Sequence, residues 1–286
     1  MSCNRKRRNP LRLFLYDLLP CITIFYNFAP LYFKRIIMKK ALVILPLLLG
    51  MVACGQNNTD SNGYETDVFT TKSGKTVKFY ALVHASFIIE YDGKIIAVDP
   101  VAKLNGRTIN YAAFPKADYI LVTHEHFDHF DTTAIRNITK VNTKLVTNQR
   151  CGDMLGYGTV MANGDRIELG DGMILEAVPA YNTTKGHLQF HPKGRDNGFV
   201  LTLDGLRIYI AGDTEDIPEM ADIKDVDVAF LPCNQPYTMT TQQLVRAAKL
   251  IQPKVLFPYH YGHTDVSGIP AQLKDAGVEV RIRHYE

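Results

Sequence analysis

Thr123-His124-Glu125-His126-Phe127-Asp128-His129 places three histidines and Asp128 within six residues. It directly follows a continuous apolar run, residues 118–122 (DYILV), which reads as a strand buried on both faces. The segment is therefore a loop at the strand's C-terminal end. Imidazole and carboxylate together are the ligand set of zinc and related divalent ions, and packing does not explain so many in one loop. His124 and His126, two apart, point the same way if the chain stays extended, and Asp128 and His129 then turn to a second position. Two further strand ends offer the same chemistry. Tyr209-Ile-Ala-Gly-Asp213 presents a carboxylate at its tip and Leu256-Phe-Pro-Tyr-His260 an imidazole.

Working outward, residues 76–83 and 86–91 read as strands, and Asp92-Gly93 is a strong hairpin turn into a return strand at 94–98. Asp131 can cap a helix to about residue 140, and 144–147 is a short strand. Residues 165–179 hold two strands split by Gly170-Asp171-Gly172, and Asp204-Gly205 joins strands 198–203 and 206–210. Residues 226–231 and 254–258 are further strands, and 278–284 alternates like a terminal one. Helices are expected from the Thr240 cap to about 251 and over 270–276. Strands first and β-α units afterwards imply an α/β fold of two sheets with helices packed outside.

The pattern His124-x-His126-x-Asp128-His129, then Gly212-Asp213, then His260, resembles the metallo-β-lactamase-fold hydrolases. The opening Val83-His84-Ala-Ser86-Phe-Ile-Ile-Glu90 with Ala97-Val-Asp99-Pro100 is similar to the branch containing ascorbate-phosphate lactonase and N-acylphosphatidylethanolamine phospholipase D. The resemblance spans about residues 76–286 and implies an αββα sandwich of two mixed β-sheets with a two-metal site at one edge. It implies that His124 and His126 bind a first divalent ion, and Asp128, His129 and His260 a second, with Asp213 bridging. Zinc is the expected metal, with manganese and iron as alternatives. Asp128 and Asp213 are the expected catalytic carboxylates, and His84 and Asp99 the expected supports behind the ligands. The implied reaction is attack of a metal-activated hydroxide on an ester, lactone, amide or phosphodiester. The alternative is a degenerate, non-catalytic metal-binding protein on the same fold.

One position departs from the family pattern. Where a third histidine for the first metal is expected after Pro-Ala-x, the sequence reads Pro179-Ala180-Tyr181-Asn182. An amide oxygen is a weaker ligand than imidazole, so that metal is expected to be weak unless His187 or His191 supplies the missing group from the loop. Lys193 and Arg195, in the same loop, are candidates for holding an anionic group of a small-molecule substrate.

The remaining signals concern location and excluded classes. Residues 1–53 carry nine Lys/Arg and one acid, Asp17, which leaves a net −5 for the remainder of a chain whose total is +3. The basic character thus sits in the leader, and a nucleic-acid partner is not expected. Residues 38–53 have two lysines and a 13-residue apolar run ending in Ala53-Cys54, too short to span a bilayer and similar to a bacterial lipoprotein signal. The expectation is export and a lipid anchor at Cys54 on a membrane surface, the outer one if there are two. Residues 1–37 read as an upstream extension, 54–63 as a tether, and 64–286 as the hydrolase domain. Five cysteines without a CxxC pair argue against a disulfide framework and a cysteine zinc site, and no GxSxG supports serine catalysis.

Overall fold

Two Asp-Gly turns set the registers of the sheets. Asp92 and Gly93 have φ of 51° and 73°, and Asp204 and Gly205 46° and 80°. Positive φ at both central residues gives a turn whose twist matches its strands, and the flanking pairs are Tyr91↔Lys94 and Leu203↔Leu206. The computed structural model describes residues 58–285. The expected extension, signal segment and lipidation site lie outside the described residues.

The first sheet is made of β1 (Asn58–Thr59), β2 (Glu65–Thr70), β3 (Thr76–Val83), β4 (Ser86–Tyr91), β5 (Lys94–Val98), β6 (Tyr119–Leu121), β7 (Lys144–Thr147) and β8 (Thr159–Val160), adjacent in that order. It is antiparallel to β5 and parallel from β5 to β8. The second sheet holds β9 (Arg166–Gly170), β10 (Met173–Ala180), β11 (Asp196–Leu203), β12 (Leu206–Ile210), β13 (Val228–Pro232), β14 (Val255–Tyr259) and β15 (Glu279–Val280), again in chain order. It is antiparallel to β12 and parallel thereafter.

The sheets pack face to face through Phe79, Phe87 and Ile89 from one and Phe199, Leu201, Phe230 and Phe257 from the other. Phe87 and Phe230 stack at 4.2 Å. The outer faces are covered by helices. α1 (Thr132–Ile138) and α2 (Gln149–Leu155) bury Ala134, Ile135, Ile138 and Cys151 against Ile88 and Ile120. α3 (Thr241–Ile251) buries Leu244, Ala247, Ala248 and Ile251 against Tyr209, Ala229 and Leu256, and α4 (Ile269–Leu273) packs beside it. Strands covered on both faces have no polar side to show, which is why β6 and β13 read as continuous apolar runs. The result is the expected αββα sandwich. Among the described residues, no helix is long and apolar enough to cross a membrane.

Two expectations are corrected and one element is added. The supposed tether is structured from residue 58, because β1 pairs antiparallel with β2 through Asn58↔Thr66. The terminal strand is cut to Glu279–Val280, after which the side chains of Arg281 and Arg283 bind Asp67 of β2 at 2.6–3.0 Å. The helix at 149–155 was not anticipated; Asn148 caps it, its side chain accepting from the Cys151 amide.

Candidate metal centre

Every chemical residue sits where a strand ends at one edge of the sandwich. His124 follows β6, Asp213 follows β12, His260 follows β14, and His84 lies between β3 and β4. Asp128 and His129 arrive by a tight turn, since the amides of His129 and Phe130 both donate to the His126 carbonyl, at 2.9 and 2.8 Å. Gly212 lets the β12 end approach this loop: a Cβ there would lie 2.8 Å from the Asn197 carbonyl and 3.2 Å from Thr123 Cβ.

Two groups of ligand atoms result. His124, His126, His191 and Asp213 form one, and His84, Asp128, His129 and His260 the other, with the atoms of each group within 4.8 Å of one another. Asp213 faces both groups. Its Oδ1 lies 3.2 Å from His129 Nε2, and its Oδ2 lies 3.2 Å from His260 Nε2, 3.3 Å from His191 Nε2 and 3.8 Å from His124 Nε2. Despite these distances, Nε2 of His129, His191 and His260 and Oδ1 of Asp213 are buried without a hydrogen-bond partner. Buried polar atoms are rarely left so. Lone pairs that converge without aligning on one another suit a cation between them, and the N/O donor set without sulfur fits zinc, manganese or iron.

The far sides of the rings are bonded in a way that fixes their tautomers. Asp99 Oδ2 accepts from His129 Nδ1 at 2.8 Å and from Thr123 Oγ1 at 2.7 Å, and Thr123 Oγ1 lies 3.0 Å from His124 Nδ1. His191 Nδ1 donates to Asp196 Oδ2 at 3.0 Å. With Nδ1 engaged on the far side, Nε2 is the atom that each of the three rings turns inward. Burial and then the neighbouring His129 hold His124 well below its usual pKa, in the neutral form a cation needs. For Asp213 burial opposes ionisation, but His260 and His129 outweigh it and hold the carboxyl well below its usual range.

Several expected residues take other places. His84, expected behind the ligands, joins the second group, its Nε2 3.3 Å from Asp128 Oδ2. Asn182, the candidate amide ligand, spends its Nδ2 on the carbonyls of Tyr237 at 2.8 Å and His187 at 3.3 Å, while its Oδ1 is buried without a hydrogen-bond partner. Its backbone amide donates to the His191 carbonyl at 2.8 Å, which folds the loop so that His191 completes the first group. His187 lies outside both groups, with Nδ1 3.5 Å from Glu215. Lys193 is bound to Glu219 at 2.7 Å and to the Tyr181 hydroxyl at 3.1 Å. Arg195 grips Asp196 through two bonds of 2.7 Å and donates to the Phe190 carbonyl at 2.6 Å. Neither cation lines the cavity over the metal groups, which measures about 500 Å³. The cavity's other walls are Glu125, Phe127, Phe190, Asn234 and Tyr237; in the sequence Glu125 and Phe127 each stand between two ligands, and residues 232–240, which hold Asn234 and Tyr237, read as a rim loop.

The pattern of the beta-lactamase superfamily domain matches residues 78–260. A metal-dependent hydrolase of Pyrococcus abyssi is 32% identical over 208 residues, covering 69% of this chain and 91% of that protein. Among solved structures, a metal-dependent hydrolase from Parabacteroides distasonis is 51% identical with a TM-score of 0.75, covering 78% of this chain and all of the other. A metallo hydrolase from Ignicoccus hospitalis is 27% identical with a TM-score of 0.60, covering 72% and 94%.

Proposed function

The chain belongs to the metallo-β-lactamase superfamily, and on that premise we propose that it is a two-metal hydrolase of small-molecule esters, lactones or phosphodiesters. The observation that carries this reading is the pair of four-residue ligand groups at one cavity, with Asp213 of the first group facing the second and Nε2 of His129, His191 and His260 and Oδ1 of Asp213 buried and unpartnered. His124, His126 and His191 would hold one ion, His84, Asp128, His129 and His260 the other, and Asp213 would face both. Two divalent ions in such a site lower the pKa of water towards neutrality and polarise the group under attack. Zinc is the proposed metal, from the imidazole-rich donor set.

The chain's own groups do the rest. Asp128 lines the cavity with its side chain 20% exposed, against 2% for Asp213. It is therefore the carboxylate placed to take the proton released when water adds to the substrate. Asp99, Thr123 and Asp196 keep the imidazoles in one tautomer and orientation, so the site is organised before substrate arrives. The test is metal content by plasma mass spectrometry together with turnover of aryl esters, lactones and bis-p-nitrophenyl phosphate. Two bound ions and turnover of one substrate class are expected. Bound metal with no turnover across the panel would overturn the hydrolytic reading in favour of a non-catalytic metal-binding protein.

Anchoring at the membrane belongs to the same proposal. It is supported by the Lys39-Lys40 pair, the short apolar run and Ala53-Cys54. Mass spectrometry of a membrane fraction should find an acylated N-terminus at Cys54, whereas an intact peptide across residues 40–56 of the mature protein would refute it.

A further inference from the structure

We infer that the site takes a neutral substrate bearing an aromatic or similarly flat apolar group, gripped between Phe127 on one side and Phe190 and Tyr237 on the other. The inference rests on the hydrolytic reading of the same site. Apart from the ligand groups, the cavity is walled by Glu125, Phe127, Phe190, Asn234 and Tyr237. Three of these five are aromatic and none is a cation. Phe127 is 78% exposed and Tyr237 45% exposed. Large apolar rings left in water together at the mouth of one cavity mark a surface meant to be covered.

Charge points the same way. The one charged residue of the wall outside the ligand groups, Glu125, is paired with Arg150 at 3.1 Å and lies 3.6 Å from Arg195, so the wall offers a substrate anion no unpaired cation. Lys193 and Arg195 are spent on Glu219 and Asp196. Asn234 gives the wall a neutral polar group, suited to an amide or carbonyl rather than a phosphate.

The aromatic wall is also held in place. Phe190 and Tyr237 meet edge to face, centroids 5.0 Å apart and planes at 70°. The Phe190 carbonyl is fixed by Arg195, and the Tyr237 carbonyl by Asn182. Tyr237 sits on a turn closed by its own amide and that of Thr238 onto the Asn234 carbonyl, at 3.0 and 2.9 Å. A fixed wall loses little freedom when a ring docks on it. Asn182, on the strand end that sequence reading assigned to the metal, thus ties the loops that carry the substrate wall.

The experiment uses three matched methyl esters, of benzoic, acetic and 4-carboxybenzoic acid, and measures kcat/KM for the wild type, Phe127→Ala and Tyr237→Ala. Binding of benzamide and acetamide to the metal-loaded protein is measured by calorimetry alongside. The benzoyl ester is expected to exceed both others by about tenfold, the yield of one good aromatic contact. Either variant should erase most of that ratio with metal stoichiometry kept at two. Equal rates for benzoyl and acetyl esters, or preference for the carboxylated one, would overturn the inference. If neither these esters nor the lactones and bis-p-nitrophenyl phosphate turn over, the hydrolytic reading fails, and the pocket is judged by binding alone. Benzamide about tenfold tighter than acetamide, with the difference lost in Phe127→Ala, upholds it; equal affinities sink it.

Discussion

Replacing Asp99 by Asn tests how the metal centre is organised without touching a ligand. The Asp99 carboxylate is fully buried and takes three hydrogen bonds. Oδ1 accepts from the Thr123 amide at 2.8 Å, and Oδ2 accepts from Thr123 Oγ1 at 2.7 Å and His129 Nδ1 at 2.8 Å. The backbone at 99 has φ of 41°, a left-handed conformation that Asn tolerates as well as Asp. The substitution therefore adds no backbone strain and little change in volume. It does place an NH₂ group against a donor whichever way the amide turns. The less damaging orientation keeps the carbonyl on the Oδ2 side and strands the Thr123 amide. One buried donor left unpaired costs about 1–3 kcal/mol, or about 2–4 °C of Tm for each kcal/mol in a domain of this size.

The effect on metal is larger in information than in energy. His129 is held directly by Asp99, and His124 indirectly through Thr123 Oγ1. One carboxylate thus fixes the tautomer of a ring in each group. Removing such a support outright weakens metal binding by about 10–100-fold. The Asn carbonyl still accepts on the Oδ2 side but without the carboxylate's charge, so the loss lies at the lower end, about tenfold or about 1.4 kcal/mol. Asp99→Asn should weaken both sites, the His84/Asp128/His129/His260 group more because its link is direct. The assay is zinc titration of metal-stripped protein by calorimetry, with circular dichroism melts beside it. Two unchanged affinities with a normal melt would refute the tautomer argument. Loss confined to the group that lacks His129 would show that Thr123 does not relay it.

Three other perturbations follow from the same geometry. His191→Ala should remove one metal equivalent in a dialysed sample, whereas Asn182→Ala should keep both and lose about 1 kcal/mol of stability in urea; metal loss in the second and not the first would restore Asn182 as the ligand. Asp67→Ala leaves the Arg281 and Arg283 guanidiniums without the carboxylate they share, so it should cost about 3–5 kcal/mol in urea denaturation, and a midpoint equal to wild type would show that the latch is idle. Burial pushes the Cys233 thiol up to about 12 and raises that of Cys151, so both should resist a thiol reagent at pH 8 until the protein is unfolded; peptide mapping that finds either residue modified in native protein would contradict the burial.

What was legible in the sequence was local. The strands β3, β4, β5, β7 and β12 could be bounded from their apolar runs and the Asp-Gly turns beside them. The Thr240 cap announced α3, and the structure adds Gln243 as its capping-box partner. The illegible parts depend on distant partners. β2 reads as a mixed polar run, Glu-Thr-Asp-Val-Phe-Thr, and is locked to the chain's other end by the Arg283–Asp67 pair, 216 residues apart. α2 has only seven residues and contains Gly152, whose Cβ would clash with Val160 at 2.4 Å. His191 was one of two loop histidines near Asn182, and what separates it from His187 is the bond from the Asn182 amide to its carbonyl and the hold of Asp196 on its ring.

The site's cost to the fold lies in its backbone. His84, Asp99 and His260 have φ of 57°, 41° and 49°, all in the left-handed region that disfavours side chains. Each such residue costs on the order of 1–3 kcal/mol and persists only where its surroundings over-determine it. The surroundings here can be named. The His84 amide donates to the Tyr285 carbonyl at 2.8 Å, and the His84 carbonyl accepts from the His260 amide at 3.1 Å. The Asp99 amide donates to Leu121 at 2.9 Å, and its side chain takes three further bonds. Tyr285 is itself anchored in the core between the sheets. His84 from the first sheet and His260 from the second are therefore joined by one backbone bond, and their rings lie 3.7 Å apart. A metal shared by these two rings would tie the sheets together at the edge where no strand pairs them. Metal binding and the stability of the sandwich are, by this geometry, coupled through the same two left-handed residues.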